Sequence, residues 1–186
     1  MKRRETYATT GSRMSVRFFG GWDFEQQDTL AHDFAAVGYR KGVPMGGRLT
    51  GDGQRRAPTF IVAAQRDPVG ANLDRLQIVK GWVNADGKTQ EQVYNIAWSG
   101  KREIAADGRL PSVGSTIDYE AASYTNSIGA PQLVAAWTDP DFDPEIASFY
   151  YVRVLEIPTP RWPLYDGFRL GAELPEEARL EIQDRA

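Results

Sequence analysis

The chain has 186 residues, 41% of them hydrophobic and 25% charged, a size and balance that support one domain with its own core. A formal net charge of −3 argues against a nucleic-acid binder, which needs a basic surface to neutralise phosphates. Cysteine is absent, so disulfides, thiolate metal sites and thiol nucleophiles are excluded.

In chain order, Met1–Ser12 lacks the apolar stretch of a signal peptide, and no apolar run approaches the length of about 20 residues that spans a bilayer. Thr6–Thr10 is β-prone and stops at Gly11. Met14, Val16 and Phe18 then alternate with Ser15, Arg17 and Phe19, which predicts a strand with one buried face. A strand this near the start suggests a piece of a longer protein. Asp28–Ala36 reads as a short helix with Asp28 as its cap, and the glycine-rich stretch 38–56 as a long loop. Further strands are expected over Ala57–Arg66, Leu73–Val83, Gln90–Ser99, Pro131–Thr138 and Phe149–Ile157. Asp86-Gly87 marks a tight hairpin between the second and third of these. Thr116–Ser127 leans towards β structure. Pro158, Pro160 and Pro163 are expected to end the last strand, and Pro175–Gln183 to form a short helix.

The pattern predicts a mainly β fold: an antiparallel β-sandwich, immunoglobulin-like in style, with long Gly-rich loops and one or two short helices. Residues 1–13 read as a junction, 14–165 as the sandwich, and 166–186 as a C-terminal tail.

Few residues could carry chemistry. His32 is the sole histidine, and its neighbour Asp33 points elsewhere on either a helix or a strand, so a surface histidine outweighs a catalytic base. Asp139, Asp141 and Asp143 space three carboxylates at every second residue, as in oxygen-rich cation loops. The glycine and glutamate of an EF-hand are replaced by Pro144 and Tyr150, which leaves an Asp-Pro turn as the stronger reading and a weak cation site as the other. Among the tryptophans, Trp22 and Trp162 lie beside Gly and Pro loops and are candidates for stacking on a ligand such as a sugar. Trp98 and Trp137 fall inside strands. Ser99-Gly100-Lys101-Arg102 lacks P-loop spacing, and no Ser-His-Asp set is available.

Several stretches are distinctive together: Arg4-Glu5-Thr6-Tyr7-Ala8-Thr9-Thr10-Gly11, Val16-Arg17-Phe18-Phe19-Gly20-Gly21-Trp22-Asp23, Ile78-Val79-Lys80-Gly81-Trp82, Trp137-Thr138-Asp139-Pro140 and Glu156-Ile157-Pro158-Thr159-Pro160-Arg161-Trp162. Over nearly the whole chain they resemble a bacterial family of unknown function, whose full-length members look like relatives of the PHP (polymerase and histidinol phosphatase) metallohydrolases. The resemblance implies that this chain is the C-terminal third. The divalent metal and its ligands would then lie in a missing upstream domain, with no cofactor in this chain. It implies that the chain stops short of the family's usual end, leaving an exposed sheet edge. By the same resemblance Arg4, Tyr7, Thr9, Thr10 and Arg13 lead out of the metallohydrolase domain and border its active-site mouth; a plain structural junction is the competing reading.

The resulting expectation is a non-catalytic accessory domain partnered by the upstream catalytic-like domain of the same protein. The alternative is a binding module for a carbohydrate or other cell-envelope ligand, and an extracytoplasmic, periplasmic location is favoured over the cytoplasm. No nucleic acid and no membrane span are expected, and homo-oligomerisation stays open. An accessory domain should leave an apolar patch exposed near Arg4–Phe19.

Overall fold

The computed structural model describes residues 2–51 and 56–186. In chain order its elements are β1 (Ser15–Gly21), a 3₁₀ turn (Gln26–Leu30), α1 (Phe34–Lys41), β2 (Gly42–Pro44), β3 (Thr59–Gln65), β4 (Leu73–Val83), β5 (Thr89–Trp98), β6 (Ile117–Asp118), β7 (Ser123–Tyr124), β8 (Gln132–Thr138), β9 (Ser148–Glu156), β10 (Thr159–Pro160), α2 (Trp162–Leu170) and β11 (Glu181–Ile182). Two antiparallel sheets, β2-β1-β3-β8 and β5-β4-β9, form the sandwich. The hairpin β6–β7 and the pair β10–β11 lie outside them.

Two-residue alternation builds the core. Val16 and Phe18 of β1, Phe60, Val62 and Ala64 of β3, and Leu133 of β8 meet Leu73, Leu76 and Ile78 of β4 and Val154 of β9. Each Val, Leu, Ile or Phe among them contributes about 1.5–3 kcal/mol when fully buried. β3 is covered on both faces, because Ile61 packs outward with Phe19 and Phe24 beneath α1. α1 approaches closely at Gly38, where a Cβ would lie 2.4 Å from the Phe19 ring.

The helices differ from the sequence expectation. α1 begins at Phe34, not Asp28, and its cap is Asp33, whose Oδ1 accepts from Ala36 N at 3.0 Å. Asp28 is buried in the preceding 3₁₀ turn instead, and accepts from Lys41 Nζ at 2.8 Å. Burial alone would push its carboxyl up, but the Lys41 ammonium and the Glu25 amide outweigh burial and hold it below the usual range. The expected loop over 38–56 is shortened at its start, where α1 runs to Lys41 and β2 pairs with β1; residues 52–55 of that expectation lie outside the described residues.

Pro175–Gln183 is not helical. It holds a turn and β11, while the second helix is α2, where prolines were expected only to end a strand. Pro163 sits in the first helical turn, where the missing N–H has no intrahelical role. Gly171 ends the helix at φ 60°. The tail returns to the sandwich: β11 pairs with β10, and Ala186 pairs with Val154 of β9. Among the described residues, no helix is long and apolar enough to cross a membrane.

Candidate functional site

At one corner of the sandwich the N-terminal segment, the turn after β3, the end of β9 and the C-terminal segment converge. Tyr7 Oη donates to Met14 O at 2.9 Å and accepts from Val16 N at 3.3 Å. Thr10 Oγ1 donates to Asp184 Oδ1 at 2.5 Å and accepts from Arg185 N at 3.0 Å, and Thr10 N donates to Arg185 O at 3.0 Å. Asp67 Oδ2 accepts from Arg13 N at 2.8 Å, and its Oδ1 from Val69 N at 3.1 Å. Those amides, first Arg13's and then Val69's, hold the Asp67 carboxyl below its usual range. Tyr7, Thr10 and Arg13 are thus fixed at this corner, whereas Thr9 is exposed and Arg4 takes a left-handed turn at φ 57°.

Glu156 closes the corner from beneath. The residue is 2% exposed, and among the described residues Oε1 has no hydrogen bond of normal geometry, nor has the buried Oγ of Ser12. Burial, with the Asp184 and Asp67 carboxylates nearby, pushes the Glu156 carboxyl up to about 7; the neighbouring Ser12 hydroxyl and Arg66 guanidinium restrain the rise. The Ser12 hydroxyl lies beside the carboxylate without completing a bond of normal geometry. Sequence alternation held the signal, because Val152, Val154 and Glu156 share the inward face of β9.

Beside this corner, Arg161 N donates to Leu180 O at 2.8 Å, and α2 follows directly. Trp162, Phe168 and Leu170 of α2 are 65%, 59% and 78% exposed. An open groove of about 540 Å³ lies between α2 and the chain that follows, lined by Trp162, Leu170, Leu174 and Pro175, with Arg161 and Arg179 among the charged groups at its walls. The apolar patch expected near Arg4–Phe19 is not found there among the described residues, which counts against the accessory reading; exposed apolar side chains lie instead on α2. Near Arg4–Phe19 the exposed large apolar side chains are Tyr7 and Tyr39, the latter bonded to Glu5 at 2.7 Å.

The other candidates are separate. Trp22 is half-buried, its Nε1 donating to Thr50 O at 3.1 Å and its ring meeting Phe142 edge-on. His32 is exposed in the turn before α1. Asp139 is buried and accepts from Lys80 Nζ and Tyr150 Oη, each at 2.6 Å; Lys80 also donates to Asp141 O at 2.6 Å. Asp141 Oδ2 accepts from Tyr94 Oη at 2.7 Å, and Asp143 Oδ1 from Glu145 N at 2.9 Å. The Lys80 ammonium occupies the place a bound cation would take. Burial and then these carboxylates push both phenols above their usual range. Lys80 shares the core-facing row with Leu76 and Ile78, a charge at an apolar position that the sequence reading left unused. Asp74, likewise buried, accepts from Arg102 at 2.6 Å and Arg75 at 2.9 Å. Among the described residues no three His, Cys, Asp or Glu groups converge to hold a metal ion.

Comparison with curated proteins and with solved structures finds no match in either. The model of the family described as "Protein of unknown function (DUF3604)" matches residues 1–186, and the chain therefore belongs to that family.

Proposed function

We propose that this chain is a non-catalytic accessory domain that packs against an upstream, PHP-like metal-dependent hydrolase domain of the same protein. One observation carries the reading: the N-terminal segment is bonded to the C-terminal segment whose β11 pairs with β10, the strand that leads into α2 with its exposed Trp162 and Leu170. Thr10 is tied to Asp184 and Arg185, and the next residues lead through β11 to β10 and Arg161. A polypeptide arriving at Thr10 therefore meets the segment that leads, through β11 and β10, to Trp162 at the start of α2. Exposed apolar surface of this kind marks contact sites, and interfaces between domains of one chain are of moderate size. In this reading the chemistry of a metal belongs to the upstream domain, and the buried carboxylates Asp74 and Asp139 of this chain are already neutralised by Arg75, Arg102 and Lys80.

The test compares this chain with a longer polypeptide carrying its upstream sequence. Trp162→Glu and Leu170→Glu should leave the melting temperature of the chain alone within a degree or two, since both side chains are exposed. In the longer polypeptide they should expose the junction to protease and lower the melting temperature. Equal behaviour in both contexts, or phosphoester hydrolysis by the chain alone, overturns the proposal.

A second reading rests on the groove. An exposed Trp162 above an open space of about 540 Å³, with Arg161 and Arg179 at hand, suits stacking on a sugar ring with polar groups around it. Titration with a glycan panel followed by Trp fluorescence should then give a saturable change that Trp162→Ala removes; a flat response across the panel counts against it.

A further inference from the structure

The β5-β4-β9 sheet carries an open groove of about 520 Å³ at the end opposite Glu156, with Val83, Thr89, Glu91, Ala147 and Phe149 in its walls. Strand register builds it. Gly81 of β4 stands opposite Phe149 of β9 on one side and Glu91 of β5 on the other, so the three form one row across the sheet. Ile78, Tyr150 and Val152 face the sandwich core, and alternation therefore turns this row outward. The Phe149 ring leans over the bare backbone of Gly81 and fills the place a Cβ would take. Adjacent strands lie about 5 Å apart, so the lean carries the ring tip one strand nearer to Glu91. Phe149 and Val83 remain 61% and 55% exposed, and the Tyr151 ring stacks 6.4 Å from that of Phe149. Glu91 is the one ionisable residue lining the groove, and among the described residues it has neither a hydrogen bond nor an ion pair. The Lys80 ammonium near the Trp82 ring lies on the core side and is neutralised by Asp139 at 2.6 Å.

We propose that the groove between Phe149 and Glu91 binds a small quaternary ammonium compound. The charge of the site selects the class: one unpaired carboxylate beside an exposed aromatic ring attracts a cation twice, through the carboxylate and through the ring quadrupole. An anion meets only repulsion from Glu91. The lining selects among cations. Phe149, Val83 and Ala147 present hydrocarbon, which the methyl groups of a quaternary ammonium cover while its spread charge needs no hydrogen bond. A primary ammonium carries three donors, and on hydrocarbon walls with a single carboxylate it would leave donors unmet and lose hydration. The groove has the size of a small-molecule site, and its place at the far end of β9 makes the proposal independent of the accessory role and of the α2 groove.

The test is titration of the whole chain with choline chloride, read by residue-resolved amide chemical shifts at constant ionic strength against sodium chloride. The Gly81, Glu91 and Phe149 amides should shift saturably, while those around Trp162 stay in place. The neutral isostere of choline, with a tert-butyl group in place of trimethylammonium, should bind about tenfold more weakly or worse, and ethanolamine, which keeps the charge without the methyl groups, should also bind more weakly. Glu91→Gln and Phe149→Leu should each weaken choline by about fivefold or more. Glu91→Gln keeps the size of an exposed side chain and leaves the melting temperature unchanged, so its result stands whether or not Phe149→Leu disturbs the sheet. Equal binding of the neutral isostere, ethanolamine binding as tightly as choline, or full affinity in Glu91→Gln overturns the proposal. So does a lack of saturation by about 0.1 M choline, or saturable shifts confined to another part of the chain.

Discussion

Glu156→Gln should raise the stability of the protein above neutral pH and leave it unchanged at pH 4.5 and below. In the fold this carboxyl binds its proton more tightly than in the unfolded chain, its pKa rising from 4.5 to about 7 because the residue is 2% exposed and faces Asp184 and Asp67. Below pH 4.5 both states are protonated and the group costs nothing. Between 4.5 and 7 the unfolded chain sheds the proton first, so stability falls as pH rises, by at most about 1.4 kcal/mol per unit. Above 7 the loss is complete, at about 3 kcal/mol by this reckoning. Asp67 and Asp28 act in another window: their carboxyls are held low, so their stabilisation is present above pH 4 and disappears only as pH falls further. Glutamine keeps the size of the side chain and removes the titration. Urea unfolding followed by Trp fluorescence at pH 4.5, 6 and 8 should give a wild type that weakens across the series and a variant with a flatter profile. At pH 8 the variant should be more stable by about 1–3 kcal/mol. Parallel profiles, or a variant weaker than wild type at pH 8, would refute the claim that Glu156 is enclosed without adequate compensation.

Lys80→Met leaves the Asp139 carboxylate buried without its cation and should cost about 3–5 kcal/mol in chemical denaturation, with most of the loss recovered in Lys80→Met/Asp139→Leu. Gly38→Ala places a Cβ 2.4 Å from the Phe19 ring and should cost about 1–3 kcal/mol through overpacking of α1 on β1, seen as a lowered melting temperature. Arg13→Ala should shift stability by less than about 1 kcal/mol, because its side chain is 82% exposed and the contact is 3.4 Å long. Stability loss below pH 4 should persist in that variant, since the backbone amides of residue 13 and Val69 remain on Asp67.

What could be read from the sequence was whatever two-residue alternation and turn chemistry determine locally. The apolar rows of β1, β3, β4 and β9 and the hairpin at Asp86-Gly87 are local signals, and together they give the sandwich. The helices were misplaced where one residue type serves two purposes. Asp28 and Asp33 both suit a cap, and burial against Lys41 takes Asp28 for another role. Pro163 reads as a terminator after Pro158 and Pro160, yet it begins a helix. The β11 pairing and the return of Ala186 to β9 depend on partners more than 20 residues away, and no local pattern encodes those. Of the residues expected at the junction, Tyr7, Thr10 and Arg13 do lie together at the corner. Glu156, Asp67 and Asp184 complete that corner and were not anticipated, although the inward register of Glu156 could have been counted.

Three buried carboxylates show why that corner stands apart. Asp74 is met by Arg75, Arg102 and Gln183, and Asp139 by Lys80 and Tyr150; each is enclosed with a complementary charge and a filled set of donors, as a structural role requires. Glu156 is enclosed near two further carboxylates, with only the Ser12 hydroxyl and the Arg66 guanidinium to offset them and no hydrogen bond of normal geometry to Oε1 among the described residues. Folding alone offers no reason to keep an acid there, since glutamine of the same shape avoids the cost. Under the proposed accessory role, a neighbouring domain that packs at this corner would bring donors or cations towards Glu156. On this reasoning the destabilising effect of Glu156 above neutral pH should vanish in a polypeptide that carries the upstream domain. Glu156→Gln would then turn from stabilising to neutral or harmful, and a substitution equally stabilising in both forms would locate the contact elsewhere.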